Sequence, residues 1–108
     1  MVNKVILVGN LGADPDHRQT GAGTVANLRL ATAERKKVGD NWEDHTEWHR
    51  VVVFGKTADN VVKYCNKGSQ LFVEGSIQTK KWQDKEGNDR YTTEVVGRNV
   101  RFLGGRQG

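Results

Sequence analysis

The sequence predicts an all-β domain, a five-stranded Greek-key barrel with one short helix between its third and fourth strands and two long projecting hairpins. Three observations carry this reading. Five separate runs are apolar or alternate at the strand period, whereas a period near 3.6 is confined to Ala58, Val61, Val62 and Cys65. Thirteen glycines against a single proline supply the tight turns that many short strands require. A length of 108 residues suits one domain and is too short for two of ordinary size.

Composition narrows the function classes. The chain is 35% apolar and 28% charged, as in a soluble globular domain, and carries a net charge of +4 with a pI near 9.4. That balance favours an anionic partner, although 13 acidic residues dilute the field, so the placement of charge decides more than its sum. One cysteine, Cys65, excludes an internal disulfide and fits a reducing compartment. No apolar run approaches the roughly 20 residues that span a bilayer, and Met1-Val2-Asn3-Lys4 leads into a strand rather than a signal peptide. A cytoplasmic location without membrane contact is expected.

The first strand, Lys4 to Leu11, is apolar at consecutive positions, the mark of a strand covered on both faces or meeting another subunit. Gly12 to Asp16 reads as a turn and Gln19 to Gly23 as a second loop. Its glycines lack the lysine and the following helix of a phosphate-binding loop, so the turn reading holds. From Thr24 to Ala33, the residues Ala26, Leu28, Leu30 and Thr32 alternate with Val25, Asn27, Arg29 and Ala31, giving a second strand with Arg29 turned outward. Gly39-Asp40-Asn41 is the turn of a long hairpin with a basic tip at Lys36-Lys37.

The return arm holds the most informative run, Thr46 to Lys56. Strand alternation puts Trp48, Arg50, Val52, Phe54 and Lys56 on one side and Glu47, His49, Val51 and Val53 on the other. One face is thus aromatic and cationic. Such a face either forms an aromatic core with snorkelling charges or stacks nucleic-acid bases between phosphate-binding cations. Counting back by twos places Trp42 on the same side if the strand is unbroken; a bulge would reverse it, and packing against Val38 or a neighbouring subunit is the alternative.

After Phe54 comes the helix, with Thr57 as the expected N-cap, Asp59 near its positive end, and Lys67-Gly68 as its cationic last turn and stop. Cys65 falls on its buried stripe and reads as a small core hydrophobe. A fourth strand runs from Gln70 to Trp82, turns at Asp84 to Asn88, and returns through Arg90 to Val96. Val100 with Phe102-Leu103 closes the domain at residue 103, and residues 104–108 look like the start of a flexible linker.

Three strands, a short helix and two more strands is the order of an OB-fold, whose loops commonly bind oligonucleotides. The blocks Asn3-Lys4-Val5-Ile6-Leu7-Val8-Gly9-Asn10-Leu11-Gly12, Thr46-Glu47-Trp48-His49-Arg50-Val51-Val52, Lys67-Gly68-Ser69-Gln70 and Asp89-Arg90-Tyr91-Thr92-Thr93-Glu94 resemble the bacterial single-stranded DNA-binding proteins, in the right order and over nearly the whole chain. The resemblance implies a homotetramer that winds single-stranded DNA across its surface in replication, recombination and repair. Trp48, Phe54 and Trp82 then match the stacking positions, with Trp42 a further candidate. Lys4, Arg50, Lys56, Lys67, Lys80, Lys81 and Arg90 match the phosphate-tracking positions. His49 resembles the family's interface histidine, an ordinary core histidine being its plainer reading, and the first strand with Val5 and Leu7 completes the expected interface.

The sequence departs from the family twice. Arg35-Lys36-Lys37 stands where the best-known members carry a hairpin tryptophan, and the usual acidic tail that recruits replication and repair proteins has no counterpart in these residues. Two other readings compete. A dimeric primosomal relative or an RNA-binding cold-shock-like module would share the architecture. An enzyme would rest on His45 and His49, which share strand parity, but no third ligand and no nucleophile motif accompany them, so neither catalysis nor a cofactor is expected.

Overall fold

A computed structural model describes residues 1–105. Strands β1 (Val5–Leu11), β2 (Asp16–Thr20), β3 (Gly23–Val38) and β4 (Asn41–Phe54) precede helix α1 (Gly55–Tyr64), and β5 (Gln70–Gln83) and β6 (Asp89–Gly104) follow it. The fold is the expected OB type. The sheet runs β1-β5-β6-β4-β3, and β1 meets β3 again at Asn10 and Leu11, so these five strands form a ring. The chain closes it because β1 serves both neighbours in turn, β5 along Val5 to Asn10 and β3 at its end.

β2 is the difference from the five expected strands. Asp16-His17-Arg18-Gln19-Thr20 contains no apolar residue and is exposed throughout, so it carries no alternation to read. It is held by backbone pairing to β3, from Asp16 opposite Asn27 to Thr20 opposite Gly23, with Gln19 Nε2 donating to Thr24 Oγ1 and Thr20 Oγ1 to the Gly23 carbonyl.

The core lies inside the ring. Leu28 and Leu30 of β3, Val51 and Val53 of β4, Leu71 and Val73 of β5, and Val95 of β6 meet there, and α1 adds Ala58 and Val61. These are the inward residues of the alternation expected for β3 and β4. Burying each such side chain contributes about 1.5–3 kcal/mol. Cys65 is buried beside them, and desolvation pushes its thiol pKa up, as suits an inert core residue. Val100 packs against this core, whereas Phe102 and Leu103 stay about half exposed and do not close it. Gly104 ends β6 opposite Gln70, and the expected linker lies outside the described residues from 106 onward.

α1 begins earlier than its periodicity suggests. Phe54 ends β4 in extended conformation and occupies the N-cap position without a side-chain capping bond, and Gly55 at φ +62° makes the sharp reversal into the helix. Thr57 is therefore inside α1 and caps nothing, and no acidic residue lies in the first turn. Asp59 instead accepts a hydrogen bond from Thr24 Oγ1, tying α1 to β3. The cation of the last turn is Lys63; Lys67 and Gly68 lie beyond the helix.

Candidate nucleic-acid interface

Register places the aromatic residues without any appeal to function. β3 and β4 pair without a break from Val25 opposite Phe54 to Val38 opposite Asn41. With no bulge, Trp42, Trp48, Arg50, Val52 and Phe54 keep one parity along β4, and they share their side with Arg29, Arg35 and Lys37 of β3. The opposite side carries Val51 and Val53 into the core. β4 then pairs in parallel with β6, Val52 beside Val96, and β6 pairs with β5 from Val96 opposite Ser76 to Arg90 opposite Trp82 without a shift. Parity carried through these pairings puts Trp82, Lys80, Arg90 and Glu94 on the same outer side as Trp48. All four aromatic side chains are exposed: Trp42 59%, Trp48 55%, Phe54 50% and Trp82 49%. The aromatic core reading of this face is thereby excluded.

Each ring has its own support. The Cζ3–Cη2 edge of Trp48 rests on the bare backbone at Gly12, where an added Cβ would stand 2.3 and 2.5 Å from those two atoms. Arg29 lies over the Trp48 ring, 5.8 Å from its centroid. Trp82 donates from Nε1 to Thr92 Oγ1 at 2.9 Å, which fixes the indole across the β5–β6 hairpin. Trp42 stands opposite Lys37 with Arg35 over its ring at 5.9 Å, so it keeps the outer parity and does not pack on Val38, whose partner is Asn41.

The expected cations divide into two groups. Lys4 lies 3.4 Å from Glu74, Lys80 3.0 Å from Glu94, Lys81 3.4 Å from Asp89, and Arg90 3.1 Å from Asp84. Lys80 approaches Glu94 Oε1 outside hydrogen-bond geometry, so that contact is ionic. The more exposed pairs, those of Lys4 and Lys81, are each worth about 0–1 kcal/mol, so exchanging their carboxylate for a phosphate costs little, whereas Glu94 is largely buried. Arg50, Lys56 and Lys67 have no such partner among the described residues.

Three of the expected cations stand apart from the strand face that carries Trp48. Lys56 is not on the strand face, because β4 stops at Phe54 and Lys56 belongs to α1. Lys81 stands opposite Tyr91 and shares the other parity, facing away from Trp82. Lys67 reaches the site by a different route: its amide donates to Asp14 Oδ1 at 2.8 Å and the Gly68 amide to the Leu11 carbonyl, holding this loop against the turn on which Trp48 rests.

Asp84 organises the tip of the β5–β6 hairpin. It accepts from the amides of Asn88 and Glu86, both at 2.9 Å, and from Arg90 Nε at 3.1 Å. The Asn88 amide above all, with Arg90 and Glu86, holds its carboxyl below the ordinary 3.8.

His49 is half-buried and bonds Thr32 Oγ1 through Nε2 at 2.8 Å, while His45 bonds Glu47 at 2.9 Å. Four residues along a strand separate the two histidines by about 13 Å, too far to share one metal. Among the described residues no group of three or more histidine, cysteine or acidic side chains is placed to hold a metal ion. Val5 and Leu7 turn inward against the core, and the apolar residues that β1 exposes are Ile6 and Val8. Arg29 is the residue that sequence reading missed; its outward parity was visible, but its meeting with Trp48 and Arg50 depends on register.

The model of the single-strand binding protein family matches residues 2–103. Among solved structures, a Plasmodium falciparum SSB in complex with ssDNA is similar, with a TM-score of 0.86 at 32% sequence identity. The match covers 95% of this chain and 96% of that one.

Proposed function

The chain belongs to the single-strand binding protein family, and on that premise we propose that it binds single-stranded DNA with little regard to sequence, serving replication, recombination and repair. The observation that carries this reading is the common outer side of Trp48, Phe54 and Trp82, three half-exposed rings interleaved with Arg29, Arg50 and Lys80. Bases stack on the rings, and the cations meet phosphates. Stacking accepts any base, which gives tolerance, while a duplex keeps its base faces covered. The likeness to a structure solved with single-stranded DNA supports the same conclusion.

The same reading carries a homotetramer. β1 uses one edge for β5 along Val5 to Asn10 and touches β3 only at its end, so its other edge over residues 5–9 has no partner among the described residues. Ile6 and Val8 stand exposed beside that edge. An open, apolar strand edge favours pairing with another copy.

Titration with oligothymidine, followed by tryptophan emission, tests the function. Quenching with tight binding is expected, and Trp48→Ala or Trp82→Ala should each cost about 1–3 kcal/mol. Equal affinity for duplex and single strand would overturn the proposal.

A further inference from the structure

Arg29 of β3 and Arg50 of β4 are direct cross-strand partners on the outer side. Like charges directly opposite one another on neighbouring strands repel. Nothing within ion-pair reach relieves them: among the described residues neither guanidinium has a carboxylate within 4.0 Å, although Lys4, Arg35, Lys80, Lys81 and Arg90 each have one.

Both arginines line one groove of about 330 Å³, shared with Asp14, Asp16, Asn27 and Glu94. Asp14, Asp16 and Glu94 all stay beyond ion-pair distance of both guanidiniums, Glu94 pairing with Lys80 instead. Arg29 also stands over the ring of Trp48. A pair of guanidiniums on strands about 5 Å apart, open to solvent and next to an exposed indole, matches a phosphate and the base attached to it.

We propose that Arg29 and Arg50 form a clamp for a single phosphodiester of the bound strand, seating that nucleotide's base on Trp48. This deepens, and rests on, the single-strand reading. The clamp converts the repulsion between the arginines into affinity, because one phosphate relieves both at once. Two consequences separate it from a pair of independent surface cations. The arginines act on one phosphate, so their contributions to binding do not add. The free protein is strained by their proximity, so removing either one stabilises it.

The test uses Arg29→Met, Arg50→Met and the double variant, with oligothymidine affinity measured over a salt series and melting temperature measured without DNA. Each single variant should bind about tenfold more weakly at low salt and lose about 0.7 from the slope of log affinity against log salt. The double variant should lose no more slope than either single one, and each single variant should melt at a higher temperature than the parent. Arg29→Lys, which keeps the charge, should keep the slope. Slope losses that add in the double variant would assign two separate phosphates and overturn the clamp. Unchanged affinity in Arg29→Met, or lower affinity together with a lower melting temperature, would overturn it too. With any of these outcomes, parent protein that still binds single strands leaves the broader function standing; a parent that shows no binding to oligothymidine overturns both.

Discussion

At the scale of single residues, the contact between Gly12 and Trp48 has the sharpest consequence. The indole edge fills the space a side chain at position 12 would need, so Gly12→Ala must displace the ring. We expect this substitution to weaken oligothymidine binding by about 1 kcal/mol or more, as for a disturbed stacking platform. Combined with Trp48→Phe, which removes the outer Cη2 end of the ring that meets position 12, the cost should shrink, and the double-mutant cycle measures this coupling. A cost that persists in full beside Phe would assign Gly12 to the turn alone. Trp42 yields a second expectation. Its outer parity with Arg35 over the ring predicts that Trp42→Ala costs at least about 1 kcal/mol of oligothymidine affinity and removes part of the quenching; unchanged affinity with a lower melting temperature would make it structural. The common side of Trp48 and Phe54 was legible from alternation alone, because parity within one strand is local. Arg29 was not recognised, and Lys56 was misplaced, because the first needs the pairing of two strands and the second needs the point at which a strand stops.

At the scale of elements, the Asp84 carboxylate adds three bonds to the backbone bonds that close the tip of the β5–β6 hairpin, and that contribution is acid-sensitive. Asp84 has a folded pKa depressed below 3.8, so its contribution to the turn is complete above that value and is lost as the pH falls through the lower folded value. Amides of Glu86 and Asn88 should exchange faster under those acidic conditions. Asp84→Ala should show the faster exchange at neutral pH as well, with no further acid step at the tip. Hydrogen exchange read residue by residue decides this, and slow exchange in the variant would mean the turn is held by its other bonds. Both hairpins were legible, since the turn residues Gly39-Asp40 and Gly87 sit between strong strand patterns. β2 was not, because five polar residues held by backbone pairing leave no mark on hydropathy. The start of α1 escaped for a related reason: the reversal depends on the φ of Gly55, whereas a threonine looked like a cap.

At the scale of the whole molecule, one protomer offers a strand of DNA four separate rings with single cations between them, a surface suited to many weak contacts in series. Linking several such surfaces raises the affinity for a long strand without any new contact, by making each later contact intramolecular. In the proposed assembly, the edge of β1 that has no partner among the described residues, with Ile6 and Val8 beside it, would link them. Ile6→Glu and Val8→Glu together place two charges on that exposed apolar strand while leaving Val5 and Leu7 in the core, so the fold should survive and the assembly should not. Light scattering should then report a protomer-sized particle. Long oligothymidine should bind about 10²-fold more weakly, whereas an oligonucleotide short enough for one domain should bind as before. An unchanged mass would move the subunit interface elsewhere on the molecule. A reduced mass with undiminished affinity for long strands would mean that each protomer holds its DNA alone, and that the four rings of one chain suffice.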